Sequence, residues 1–167
     1  MRISSLLQSQ FKYKAWANQE LFTELAKVDP VAHQADRHGA IRLLNHIHVV
    51  DRIFAAHLSG DGHAYTGTNT LETPAFEELW SAVTKSDHWY VEYVSTLAPE
   101  LLPELIKFSF TDGERGCMAR EEMLAHIIIH GSYHRGAVGR ILTQMSVAPP
   151  RDTFTVFLHK SEPRRRE

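Results

Sequence analysis

Only one cysteine, Cys117, occurs in the 167 residues, so no internal disulfide can form, which is compatible with a reducing cytosol. No apolar run approaches the ~20 residues that a membrane-spanning helix needs. Met1 to Leu7 has no long apolar core, so no signal peptide is expected and the expected compartment is the cytoplasm. Neither sign of charge dominates: 18 Lys and Arg stand against 20 Asp and Glu, a formal net charge of -2. Nucleic acid and anionic membrane are therefore not expected as partners. The one basic cluster, Arg164 to Arg166, reads as part of a frayed polar tail. There is no internal repeat and no low-complexity segment.

What the chain does have is histidine, eleven of them. That favours imidazole over thiolate for any metal chemistry. The central stretch is Met123 to Met145, which reads as one helix. Met123, Ile127, His130, His134, Val138, Ile141 and Met145 share a narrow face at helical spacing. Side chains at i and i+4 are neighbours, so His130 and His134 meet on a stripe that belongs in a core. Hydrogen-bonded core histidines are the plain interpretation. The sharper one is a shared divalent ion, with a third ligand from another helix. His126 lies about 80° from His134 on the wheel, at the edge of the stripe. The H-E-x-x-H pattern is absent, because Ile127 stands where its glutamate base would be.

The remaining chain is punctuated into three more amphipathic segments. The first is expected over Ile3 to Lys27, with Leu7, Phe11, Ala15, Asn18, Phe22 and Leu25 inward; Asn18 reads as a buried hydrogen bond between helices. Asp36 is a possible cap for the second, Gly39 to Leu58. There His46 faces inward with Leu43, Val49, Val50, Ile53 and Phe54. His48, about 160° away, reads as outward beside Asp51 and Arg52. His57 shares the inward side but lies roughly 16 Å further along the axis, too far to bind the same ion as His46. Ser59 to Thr73 is a loop, and Thr73-Pro74 opens a third helix to Leu97 with Phe76, Leu79, Trp80, Val83, Asp87, Tyr90 and Val94 on its better face and His88 solvated. Ile106, Phe108 and Phe110 alternate before Asp112-Gly113, the pattern of a β-hairpin. Cys117 just beyond reads as an inert small hydrophobe. Gly131, Gly136 and Gly139 in the last helix suggest close approach of a neighbouring helix or subunit. After Ala148-Pro149-Pro150, an alternating Phe154, Val156, Leu158 patch is expected to pack back. Four such segments describe a four-helix bundle, where one ligand from the second helix and two from the last would converge.

At this point four motifs resemble the DinB family, the DinB/YfiT-like metalloenzymes. FKYKAWAN (Phe11 to Asn18) resembles its aromatic first-helix motif, and LLNHIHVVDRIF (Leu43 to Phe54) its second-helix motif. HGSYHRGAV (His130 to Val138) resembles its H-x-x-x-H-R-G signature, and PPRDTFTVFL (Pro149 to Leu158) its tail. The resemblance covers nearly the whole chain. It implies an all-α, up-down-down-up four-helix bundle, with the hairpin-like insert before the last helix. On this reading residues 1–160 form one domain and 161–167 a polar tail. It also implies a homodimer and a divalent metal, nickel or zinc, held by His46, His130 and His134. His48 stands where the family has an apolar residue. Ala137 stands where it has a glutamine, which leaves that amide's role without a counterpart here.

Two functions follow from the resemblance. One is a metal-dependent enzyme, transferase-like with a low-molecular-weight thiol or hydrolase-like, acting on a small molecule. Three neutral ligands leave a metal its full charge and an open position, which acidifies water or a thiol or polarises a carbonyl. The other is a non-catalytic metal- or ligand-binding protein of the stress- or damage-inducible kind. An exchangeable coordination position separates them.

Overall fold

The computed structural model describes residues 3–166, and those residues are mostly helical. Five α-helices are α1 (Ile3–Leu25), α2 (Gln34–Ser59), α3 (Phe76–Thr96), α4 (Arg120–Gln144) and α5 (Phe154–Ser161), with one antiparallel pair of strands, β1 (Leu105–Ser109) and β2 (Arg115–Ala119), before α4. Pro99–Leu101 and Pro163–Arg166 form short 3-10 turns. Glu167, at the end of the expected tail, and Met1 and Arg2, at the start of the segment read for a signal peptide, lie outside the described residues. Among the described residues no helix is long and apolar enough to cross a membrane.

Specific contacts fix the helix directions. Phe11 stacks on Tyr90, Lys14 meets Asp87, and Phe22 packs on Phe76 and Trp80, so α1 and α3 run antiparallel. Tyr90 donates to the Asp51 carbonyl and Tyr93 to that of Leu58, so α2 and α3 run parallel. His46 meets His130, Phe54 stacks on His126, and Arg120 donates to the Leu58 carbonyl, so α2 and α4 are antiparallel.

The apolar core has two halves. One gathers Phe22, Leu25, Leu44, Leu79, Val138 and Leu142. The other gathers Phe11, Phe54, Tyr90, Met123, Leu124 and Ile127. Between them runs a buried polar layer. Lys14 Nζ donates to Asp51 Oδ2 at 2.6 Å and to Asp87 Oδ1 at 2.8 Å, and Asn18 donates to Asp87 Oδ2 at 2.8 Å. Gly131 permits this approach, since a Cβ there would lie 3.1 Å from the Arg135 guanidinium and 3.5 Å from Lys14 Cε. Gly136 meets no such neighbour, and Gly139 meets Pro149 rather than a helix.

Several expectations need correction. α2 begins at Gln34, five residues before Gly39, and its N-cap is His33; Asp36 sits within the first turn and caps nothing. The turn before it is held by Asp29, whose carboxylate accepts from the N–H groups of Val31 and Ala32. The Asp51 side of α2 is not outward: Asp51 is 1% exposed, because α1 and α3 close over it and Lys14 neutralises it there. The segment read as an alternating patch is a helix, α5, capped by the Thr153 hydroxyl. Its Phe154 and Phe157, three residues apart, both reach Tyr13, and Phe157 also reaches Trp16. Helical spacing, not alternation, is what lays these rings on α1.

The strands pair as read, with Phe108 opposite Gly116 and Ile106 opposite Met118. Gly113 turns the hairpin at a φ of 92°. Cys117 is exposed on its outer side and does not pack as a small hydrophobe.

Candidate metal centre

α4 buries Met123, Ile127 and Val138 of the face the histidines share, together with a second seam. Leu124, Ile128, Gly131, Arg135, Val138 and Leu142 are all buried, and their four-three spacing is that of a core seam. His126, His130 and His134 sit on its shoulder and are only partly buried. That shoulder faces α2 at His46. The imidazoles of His46, His130 and His134 come together there, with one nitrogen from each within 4.8 Å of the others. Ring centroids are 4.8 Å apart for His46 and His130, 4.7 Å for His46 and His134, and 4.6 Å for His130 and His134. His126 stacks between Phe54 and His130 and stays outside this cluster. His48 is partly buried on another side of α2, and burial, then Arg52 and Lys14, pushes its pKa down to about 4.

The loop before α3 orients His46. Asn45 donates to Asn69 Oδ1 at 2.5 Å and to Thr70 Oγ1 at 2.6 Å, Asn69 donates to the Arg42 carbonyl at 3.0 Å, and Arg42 donates to the Thr70 carbonyl at 2.6 Å. Clamped in this way, the loop sets the Thr68 carbonyl 2.7 Å from His46 Nδ1. A carbonyl only accepts, so Nδ1 carries the proton, and in the neutral ring Nε2 presents a lone pair. That lone pair faces His130 Nε2 at 3.0 Å.

Two arrangements satisfy this contact. One is a proton on His130 Nε2; in both, His130 Nδ1 is buried with no protein partner. A cation shared by two lone pairs serves both rings, and His134 brings a third nitrogen to the same place. Burial, followed by the neighbouring imidazoles, pushes His130 down to about 3; burial and His46 also lower His134. Both are therefore neutral at pH 7, the form in which imidazole binds metal. The donor set fits a borderline divalent ion such as zinc or nickel better than a hard oxygen-seeking one.

Thr68 was not legible from the sequence, because a backbone carbonyl carries no side-chain signature. The arginine of the H-R-G motif is a second residue whose role needed the fold. Arg135 points away from the histidines and donates to Asp152 Oδ2 at 2.7 Å, while Tyr13 also hydrogen-bonds Asp152. It ties the segment after α4 to α1.

Comparison with known proteins agrees with the motifs. The model of the DinB family matches residues 3–165. The chain is similar to "Protein DinB" of Bacillus subtilis (strain 168), 22% identical over 160 residues that cover 89% of this chain and 91% of that protein. No solved structure gives a significant match.

Proposed function

The chain belongs to the DinB family, and from that premise we propose that it is a cytoplasmic, metal-dependent enzyme acting on a small molecule. His46, His130 and His134 hold one divalent ion, nickel or zinc. The observation that carries this reading is the Nε2 lone pair of His46, fixed by Thr68 and aimed at His130 from 3.0 Å. When bound, such an ion supplies Lewis acidity, able to acidify a thiol or water or to polarise a carbonyl. The protein's own part is to hold the three rings in place and to keep His46 and His130 facing a cavity, described below. The fold is proposed to be an up-down-down-up four-helix bundle formed by residues 1–160, which the directions of α1 to α4 support. A homodimer through α4 belongs to the same reading: Ile129 and Tyr133 are 68% and 76% exposed, one turn apart, beside the exposed Gly136.

Two histidines of α2 separate this reading from a mere abundance of imidazole. His46→Ala is expected to abolish tight metal binding, whereas His48→Ala should bind nickel or zinc within about twofold of the wild type, since losing even the outer partner of a ligand costs roughly tenfold or more. Isothermal titration of both variants checks this, and equal losses would remove His46 from the site.

An enzyme also needs an exchangeable position. Cobalt in place of the native ion makes the site visible, and a small thiol should then add a sulfur-to-metal charge-transfer band that saturates at one thiol per chain. Thiols are the ligand to try because soft thiolate suits these ions. A cobalt spectrum indifferent to every thiol and small anion would mean a closed coordination sphere, and would favour a non-catalytic metal-binding protein.

A further inference from the structure

The hairpin between α3 and α4 is not needed to bring the three histidines together, yet it closes a cavity beside them. The cavity has a volume of about 370 Å³ and reaches from His46 and His130 at one end to His57 at the other. Its walls are Val50, Ile53 and Phe54 from α2 and Phe108, Phe110 and Met118 from the hairpin. None of its lining residues is Asp, Glu, Lys or Arg. His46 and His57 are separated by roughly 16 Å along α2, so the space is elongated.

Ring geometry explains how the hairpin roofs it. Phe108 lies 5.0 Å from the His57 ring, 6.0 Å from Phe54 and 4.9 Å from Phe110, centroid to centroid. The ring can lie across the sheet only because its cross-strand partner is Gly116; a Cβ there would come within 2.4 Å of it. The alternation of the strands then sends Met118 to the same face. At the far end His57 Nε2 is buried without a protein partner, a polar contact available to a ligand. A volume in the lower part of the roughly 300–1,000 Å³ range of small-molecule sites suits one ring-bearing molecule. A nucleotide or other polyanion would meet no counter-charge there.

We propose that this cavity binds the uncharged, ring-bearing body of the small molecule on which the three histidines act, with its donor atom at the histidine end. The donor half of the proposal rests on the metal reading above; the cavity half does not.

The test uses N-phenylnaphthylamine, an uncharged probe that fluoresces in apolar surroundings, on the metal-free full-length protein. Wild type should bind one probe per chain. Met118→Trp and Thr111→Trp, which fill the cavity from two positions, should each weaken it by about tenfold, the equivalent of roughly two buried methylenes. Circular dichroism identifies a variant that fails to fold, and the other then decides. Absence of probe binding, or equal binding by a folded filled variant, overturns the cavity. On the cobalt-loaded protein phenylmethanethiol should bind about tenfold more tightly than mercaptoethanol by the same conversion, and equal affinities overturn the link between cavity and histidines. Probe binding that the variants lose, in a protein that takes up no metal, supports the cavity and defeats the metal reading alone. Metal uptake without probe binding does the reverse.

Discussion

His130→Ala is expected to lower affinity for nickel or zinc by at least about 100-fold, the upper end of what loss of a mere outer partner of a ligand costs. His130 supplies one of three nitrogens and the one set 3.0 Å from His46. The variant should also separate metal binding from folding. In the metal-free protein the His130 ring sits partly buried, with its Nδ1 lacking a protein partner. Its removal therefore deletes no hydrogen bond that the apo fold needs beyond the one to His46. The metal-free variant should melt close to the metal-free wild type. Saturating metal is the contrast. At ~1,000-fold excess over Kd it should stabilise the wild type by about 4 kcal/mol and the variant by far less. Titration calorimetry and melting curves with and without chelator measure both effects. A variant that keeps wild-type affinity, or gains as much stability from metal, would show that the ion is held elsewhere.

Lys14→Met should cost about 3–5 kcal/mol of folding stability, the range for breaking a buried ion pair from one side. Lys14 is 1% exposed and bridges Asp51 and Asp87. Burial acts to lower its pKa, and the two carboxylates overcome that and hold it above the usual lysine value. Asp51 is pushed up to about 6 by burial even though Lys14 opposes the shift. Without Lys14 the Asp51 carboxylate is stranded, and its folded pKa moves further above its unfolded value of about 3.9. An acid with a raised folded pKa contributes stability that is present below the unfolded value and lost as pH rises through the folded one. The penalty of Lys14→Met should therefore be larger at pH 8 than at pH 5. Urea unfolding at the two values reads it, and Asp51→Asn and Asp87→Asn added to the variant should recover much of the loss. A penalty under about 1 kcal/mol, or one independent of pH, would mean that water reaches this layer.

Lys14 also shows how a signal can be present and be passed over. Leu7, Phe11, Lys14, Asn18, Leu21 and Leu25 repeat at four-three spacing, and all are buried. The lysine stands on the seam of α1, in phase with Asp87, which the sequence had already placed on the inward face of α3. Choosing Ala15 for that seam hid the pair, because an alanine fits an apolar stripe and a lysine does not. Asp51 was misjudged for the same reason: a carboxylate next to Arg52 in the chain looks solvated until its partner on another helix is known. Helical periodicity gives faces, and it does not say how many faces are covered. α2 is covered by α3 and α4 and by Lys14 of α1, so little of it remains outward. The last segment failed differently. Phe154, Val156 and Leu158 do alternate, but Phe154 and Phe157 also stand at helical spacing, and in so short a run the two patterns overlap. The packing surface offered by Tyr13 and Trp16 decides between them.

The sequence by itself determined the long helices, with the start of α2 missed by five residues, the hairpin between the third and fourth, and the pairing of His130 with His134. These depend on spacing along one element, where 3.6 residues per turn, alternation and turn residues leave a direct imprint. It also singled out His46 over His48, since they lie on nearly opposite sides of one helix. Only the tertiary structure decided that the rings of His46, His130 and His134 meet within 4.8 Å, that the Thr68 carbonyl fixes the tautomer of one of them, and that Phe108 roofs a cavity at their side. Each of these depends on the distance and rotation between separate elements. Those are set by the packing of whole faces, and no interval counted along the chain contains them.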